Sequence, residues 1–144
     1  MSAVPPDPQE PLHLSTHVLD AARGRPAAGV AVRWESLDAV GAWVVTGVAI
    51  TDGDGRVAAT AWELVGPVGA GAAIGRHRLV FDVADWSAEQ DVDCFFPEVT
   101  ITFVVEGGAR AVRGGARAAG GGAAGRYHVP LLLSPYAYST YRGS

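Results

Sequence analysis

The chain has no lysine, a single cysteine, and no apolar run as long as a membrane span in its 144 residues. Its basic side chains are all arginines, and they are outnumbered by acidic ones, which gives a net charge of −4. Without a basic field to neutralise phosphates, we do not expect a nucleic-acid partner. A span needs roughly 18 consecutive apolar residues, so we predict no membrane segment. One cysteine excludes a disulfide framework and a thiolate metal site, and Cys94, beside Phe95 and Phe96, is expected to be a small packed hydrophobe.

The composition is that of a single globular domain. Hydrophobic residues make up 49% of the chain and charged residues 18%, and 144 residues suit one core. Residues 1–11 are proline-rich and acidic without an apolar stretch, which is unlike a secretory signal. We therefore predict a disordered N-terminal extension at 1–11, a domain at 12–144, and a cytoplasmic location.

Short β-type runs separated by turn residues dominate the sequence, and helical periodicity is nearly absent. Residues 12–20 alternate most clearly, with Leu14, Thr16 and Val18 on one face of a strand and His17 on the other. Further strands are predicted at 30–37, 41–51, 76–84, 98–106 and on either side of Ser134–Pro135.

A single short helix is predicted at 85–90, with Asp85 as its N-cap. Seven or eight strands and one helical turn define an all-β fold of the two-sheet sandwich class. Pro130 interrupts an otherwise good strand, and because proline cannot donate to a ladder we expect a bulge or locally open pairing there.

The segment 107–126 is a Gly/Ala/Arg-rich insertion of low complexity. It has too few large apolar side chains to offset the entropy of ordering, so we predict a mobile loop between two strands. An arginine-rich RNA-binding segment is the alternative, although its few arginines are diluted by glycine in an acidic chain.

The alternation of side chains along each strand predicts the direction in which its histidine points. His17 and His128 lie on the strand faces opposite the apolar residues and are expected to point away from the core. His77 lies on the same face as apolar residues and is expected to be packed or at a rim.

His13 and His17 are four residues apart, a metal-ligand spacing on a helix, but on a strand they lie about 13 Å apart. Zinc is therefore not expected.

An apparent calcium loop at 52–63 does not meet the requirements of one. Asp52, Asp54 and Glu63 imitate three ligand positions, but Arg56 and Val57 stand where an oxygen ligand and a glycine are needed. The "DGDG" run predicts a hairpin turn instead.

Several segments together resemble one known family. They are "LSTHVLD" followed by Gly-x-Pro-Ala-x-Gly-Val, "TDGDGR", "FFPEVTITF" and "YHVPLLLSPYAYSTYRGS". They are similar to motifs of the transthyretin-like family, and the last four residues resemble the Tyr-Arg-Gly-Ser of its 5-hydroxyisourate hydrolase branch. The resemblance covers residues 12–106 and 127–144.

The resemblance implies a sandwich of about eight strands that pairs edge to edge into dimers, with two dimers forming a homotetramer around a central channel. The implied activity opens the six-membered ring of 5-hydroxyisourate in urate degradation, without a metal or organic cofactor. The family's catalytic positions fall on His17, Arg56 and His128. Its substrate-binding positions fall on His17, Arg56, Tyr141, Arg142, Gly143 and Ser144.

These residue types suit hydrolysis. Histidines with a pKa near 6.5 exchange protons at neutral pH, and a permanently charged arginine orients the substrate and stabilises an oxyanion. Which of His17 and His128 is the base stays open, and Tyr141 is expected to bound the pocket. The chain departs from the family in the 107–126 insertion and in Arg126, where histidine is common.

Two other function classes stay open. A transthyretin-like carrier without catalysis would have an open, apolar channel, which the bulk of the terminal Tyr-Arg-Gly-Ser is expected to block. An immunoglobulin-like binding module would need neither His17 nor His128.

Overall fold

The computed structural model describes residues 12–66, 74–107 and 125–144, and these ranges contain eleven strands and one helix. In chain order the elements are β1 (His13–Asp20), β2 (Arg25–Pro26), β3 (Ala31–Leu37), β4 (Trp43–Ile50), β5 (Arg56–Val57), β6 (Glu63–Leu64), β7 (Gly75–Asp82), α1 (Val83–Gln90), β8 (Glu98–Val105), β9 (Arg126–His128), β10 (Leu131–Ser134) and β11 (Ala137–Thr140).

The first sheet is built around β1. The start of β1 pairs in parallel with β9 and its end in parallel with β10, while β5 and β2 pair with it antiparallel. Beyond β10 lies β11, which pairs antiparallel. Side chains on the outer face of β1 therefore have cross-strand neighbours from both β5 and β9.

The second sheet is antiparallel, in the order β6-β4-β3-β7-β8. Apolar side chains from both sheets fill the space between them, and Trp62 donates its indole N–H to the carbonyl of Leu14 at 2.8 Å. Among the fully buried core residues, Leu14 and Val18 lie on β1, and Leu79 and Phe81 lie on β7. The two-sheet all-β sandwich predicted from the sequence is confirmed, and the long strands lie within two residues of their predicted bounds.

The strand pairing is interrupted at Pro130, as predicted. Val129 and Pro130 separate β9 from β10, and side-chain hydroxyls bond to the carbonyls of these two residues. Thr16 donates to the carbonyl of Val129 at 2.6 Å, and Thr140 donates to that of Pro130 at 2.7 Å. The break keeps both segments in line with β1 although proline lacks an N–H.

The predicted helix start is wrong. The helix begins at Val83, and its N-cap is Asp82, whose carboxylate accepts the backbone N–H of Asp85. The backbone N–H groups of Val83 and Ala84 both bond to the carbonyl of Pro97, at 3.0 and 2.9 Å. The apolar pair at 83–84 thus belongs to the helix instead of extending β7 to residue 84.

Within the described ranges, no helix is both long enough and apolar enough to cross a membrane. The predicted extension at 1–11 and most of the predicted insertion lie outside the described residues. Arg126, at the far end of that insertion, lies in β9.

Candidate functional site

Alternation along β1 places two polar side chains on the outer face of the first sheet. Leu14, Thr16 and Val18 are at most 1% exposed and face the core, whereas Ser15 and His17 between them are half-buried on the opposite side. A strand must alternate in this way because successive side chains point to opposite faces. The prediction that His17 points away from the core is confirmed.

The strand register brings the other predicted residues to the same face. Arg56 is the antiparallel partner of His17, and His128 is the parallel partner of Ser15. Directly opposed residues on one face have Cβ atoms about 5 Å apart. His17, Arg56 and His128, which lie far apart in the sequence, therefore form one cluster around Ser15.

A groove of about 440 Å³ opens beside this cluster. It is lined by His13 and Ser15 of β1, by Asp52 and residues 56–59, by β9 and by Ser144. Arg56 and His128 both line it, so a cation and an imidazole face the same space. A small polar heterocycle fits a groove of this volume and lining.

His128 is held on two sides. Its Nδ1 lies 2.8 Å from the hydroxyl of Ser15, and its backbone carbonyl accepts the N–H of Gly143 at 2.8 Å. Burial lowers the pKa of His128, and the nearby positive charges of His17 and Arg56 lower it further. His128 is therefore neutral at pH 7 and able to accept a proton.

The turn before β5 fixes Arg56. The carboxylate of Asp52 accepts the backbone N–H groups of Asp54 and Arg56, each at 2.9 Å. Gly55 has φ +75°, and a Cβ there would lie 2.5 Å from the carbonyl oxygen of Val18, so only glycine fits. A turn forms here as predicted, but the predicted hairpin is wrong, because β4 and β5 on either side of the turn belong to different sheets.

The charge of Asp52 belongs to the same cluster. Its pKa is lowered by the hydrogen bond from the Arg56 backbone, and also by the N–H of Asp54 and the positive charges of Arg56 and His17. Asp52 is therefore a carboxylate at neutral pH, and it adds a negative charge to this cluster.

The last residues of the sequence pack against His128. Gly143 forms an isolated antiparallel bridge with His128, and a Cβ on Gly143 would lie 2.4 Å from the His128 ring. The guanidinium of Arg142 lies 4.5 Å from the ring centroid of Tyr127. Ser144 lines the groove.

Tyr141 stands apart from these neighbours. It is 59% exposed and does not line the groove of a single chain, because β11 ends at Thr140 and its alternation stops there. The predicted role of Tyr141 as a pocket boundary stays a prediction.

The other histidine and cysteine positions follow their predictions. His77 is 1% exposed and packs in the second sheet, which confirms its assignment as a packed residue. Cys94 is part-buried, with its thiol 3.4 Å from the carbonyl oxygen of Phe96. In the part of the chain that the structure describes, no three His, Cys, Asp or Glu side chains are grouped to hold a metal ion.

Two residues at the site have no role in the sequence predictions. Ser15 contacts His128. Asp52, which the sequence assigns only to a turn, contacts the backbone of Arg56. The parity that places His17 outward also places Ser15 outward, so alternation could have marked it. Its partnership with His128 spans 113 positions, and no local pattern predicts that.

Comparison with known proteins gives one consistent family. Residues 14–143 match the family described as "HIUase/Transthyretin family". A 5-hydroxyisourate hydrolase of Rhizobium meliloti is 39% identical over 135 residues, which is 91% of this chain and 95% of that protein.

Two solved structures share the fold. A 5-hydroxyisourate hydrolase of Klebsiella pneumoniae is 27% identical with a TM-score of 0.62, covering 91% of this chain and 98% of that one. Sea bream transthyretin in complex with thyroxine is 24% identical with a TM-score of 0.67, covering 91% and 94%. At that identity the second likeness concerns the fold alone.

Proposed function

The chain belongs to the HIUase/Transthyretin family, and from this premise we propose that it hydrolyses 5-hydroxyisourate. The product is 2-oxo-4-hydroxy-4-carboxy-5-ureidoimidazoline, formed by opening the six-membered ring in urate catabolism. Relatives at up to 39% identity that carry this activity in their names support the proposal.

The observation that carries the proposal is the shared outer face of β5, β1 and β9. Register places Arg56 beside His17 and His128 beside Ser15, so a permanent cation and one imidazole line the groove while His17 lies next to Arg56 on the same face. Hydrolysis of a cyclic amide needs a base, an acid and a group that stabilises negative charge. One residue is available for each of these roles.

We assign the base to His128. Its pKa is lowered, chiefly by burial, and its Nδ1 is occupied by Ser15, so its Nε2 is the atom left to accept a proton from water. The water oxygen then bonds to the ring carbonyl carbon, and the carbonyl becomes an oxyanion. Arg56 stabilises that oxyanion and orients the substrate oxygens.

His17 is assigned as the acid. Register places it beside Arg56 on the outer face of the first sheet, and an imidazolium has a proton to donate. When the tetrahedral intermediate collapses, the carbon–nitrogen bond of the ring breaks and the departing nitrogen takes that proton. The proton held by His128 returns through solvent to His17, which restores both residues for the next turnover.

The terminal residues are proposed to complete substrate binding. Gly143 packs against His128, Ser144 lines the groove and Arg142 is fixed over Tyr127, which supports places for them at the pocket rim. Tyr141 is exposed in one chain and is proposed to close the pocket in a homotetramer of two dimers. We further propose that the protein acts in the cytoplasm.

A carrier is the competing function. Transthyretin shares the fold, but the groove here holds Arg56, Asp52 and His128 beside one another. A carrier of apolar ligands gains nothing from such a cluster, whereas a hydrolase needs it. The charged lining therefore favours catalysis.

The test uses substrate generated in place. Urate oxidase converts urate to 5-hydroxyisourate, whose spontaneous ultraviolet decay is then followed with and without the protein. We expect the protein to accelerate the decay in proportion to its concentration. Unchanged decay, together with binding of the intact compound, would establish a carrier instead.

A further inference from the structure

The His128 ring is fixed in the structure from more than one direction. Its Nδ1 meets the Ser15 hydroxyl at 2.8 Å, and Gly143 packs against its Cδ2 edge so closely that no Cβ fits between them. Within residues 12–66, 74–107 and 125–144, no side chain or backbone group is hydrogen-bonded to Nε2. The ring is thus oriented with one nitrogen toward β1 and the other available to the groove.

We propose that Ser15 is a positioning residue that holds His128 as the tautomer with its proton on Nδ1, leaving Nε2 free to take a proton from water. The inference rests on the proposed function, because it specifies how the base of that reaction is prepared. In this arrangement Nδ1–H donates and the Ser15 hydroxyl oxygen accepts.

The argument follows from the two tautomers. A neutral imidazole has one protonated nitrogen, and a base needs its lone pair on the nitrogen that faces the reaction. If the Ser15 hydroxyl donated to Nδ1 instead, Nε2 would carry the proton and His128 would be unable to accept another there. Only an accepting Ser15 is compatible with His128 acting as a base.

The accepting arrangement also survives the reaction. When Nε2 takes a proton, Nδ1 keeps its own and continues to donate to Ser15, so neither side chain has to rotate. A hydroxyl carries no charge, so it orients the ring without holding the imidazolium as a carboxylate would. His128 is thereby able to release its proton for the next cycle.

The tautomer is measured directly by ¹⁵N NMR of uniformly labelled full-length protein above pH 7. Peaks are assigned to His128 by their loss in His128→Gln. We expect Nδ1 to be protonated and Nε2 unprotonated in the wild type and in Ser15→Thr, which keeps a hydroxyl. In Ser15→Ala we expect a mixture that includes the Nε2-protonated form.

Steady-state kinetics supply the second measurement. Loss of one neutral hydrogen bond should lower kcat of Ser15→Ala by roughly 5- to 10-fold with little change in KM, and Ser15→Thr should restore most of it. Thr102→Ala removes a hydroxyl from an exposed position on β8 and should match the wild type.

The outcomes separate the two proposals. An Nε2-protonated wild type, or an unchanged tautomer and kcat in Ser15→Ala, overturns the positioning role. A wild type that fails to accelerate 5-hydroxyisourate decay overturns the proposed function, while the NMR result still reports whether Ser15 sets the tautomer.

Discussion

Two histidines of this protein each place Nδ1 beside a serine hydroxyl, yet they sit in opposite environments. His128 meets Ser15 at 2.8 Å on the outer face of the first sheet, next to a groove. His77 meets Ser36 at 3.2 Å inside the second sheet, where it is 1% exposed. The same local pairing therefore serves a candidate base in one sheet and a packed core in the other.

The two histidines differ in the groups that contact Nδ1 besides the serine. At His77, the indole N–H of Trp34 points to the same Nδ1 at 3.1 Å, and an indole can only donate, so this Nδ1 is an acceptor. Phe103 stacks on the ring, with centroids 5.7 Å apart. At His128, the partner of Nδ1 among the described residues is the Ser15 hydroxyl, which is able to accept as well as to donate. With Ser15 accepting as proposed, the two histidines carry opposite tautomers, and the direction of each side chain relative to the core separates the proposed base from the packed residue.

The largest expected effect is on chemistry at the groove. Replacing His17 or His128 with Ala should lower the hydrolytic rate by about 10²–10⁴, the usual contribution of positioned acid–base catalysis. Both side chains are on the outer face, so the core and the folded state should persist. The check is initial-rate kinetics alongside circular dichroism, and wild-type rates in both variants would remove the mechanism.

Gly143→Ala should have the next largest effect on the hydrolytic rate. The added Cβ would lie 2.4 Å from Cδ2 and 3.1 Å from Cγ of His128, so either the ring or the tail has to shift and the ring loses its present position. A displacement of about 1 Å at a catalytic group is able to cost about 10²-fold in rate. Gly53→Ala is the matched control, because no atom lies within 4 Å of its added Cβ. Equal kcat in the two variants would show that the tail does not position His128.

His77→Leu should affect stability instead. It leaves the indole N–H of the buried Trp34 without its acceptor at His77, which costs about 1–3 kcal/mol of unfolding free energy. Urea denaturation measures it, and the surface substitution Thr102→Ala should change the same quantity by less than about 0.5 kcal/mol. A His77 variant as stable as Thr102→Ala would refute the packed role.

The smallest effect is a titration shift at His128. Burial, followed by the charges of His17 and Arg56, lowers its pKa, so its NMR midpoint should fall below the value of about 6.5 for a free imidazole. In His17→Gln one positive neighbour is gone and the midpoint should rise. A midpoint at or above the free value, or a further fall in the variant, would contradict this electrostatic origin.

The same shift has a consequence for stability. The unfolded chain, with a His128 pKa of about 6.5, binds this proton more tightly than the folded chain, in which the pKa is lower. The stability contributed by neutral His128 is therefore present above that pH and lost as the pH falls through the folded pKa. Unfolding free energies measured at several acidic pH values, in the wild type and in His128→Gln, report the difference.

The sequence predicted the parts of the fold that alternation controls. The burial of Leu14 and Val18 and the outward direction of His17 follow from a period of two, which is a local property. The helix start was misplaced because Asp82 and Asp85 are both good N-cap residues, and Val83 and Ala84 also suit a strand. Only the tertiary bonds from residues 83–84 to Pro97 decide between them.

The site was predicted less completely, because its contacts are long-range. The resemblance named His17, Arg56 and His128, and register explains why they meet. Ser15 and the close approach of Gly143 to His128 depend on how β9 pairs with β1 and where the tail crosses β9, which local patterns do not encode.

The most direct test of the account compares the two histidines in one assay. Decay of enzymatically generated 5-hydroxyisourate is followed in the ultraviolet with equal amounts of folded wild type, His77→Leu and His128→Ala. The account predicts that wild type and His77→Leu accelerate the decay equally per folded molecule, while His128→Ala is slower by about 10²-fold or more. Comparable acceleration by His128→Ala, or none by the wild type, would contradict it.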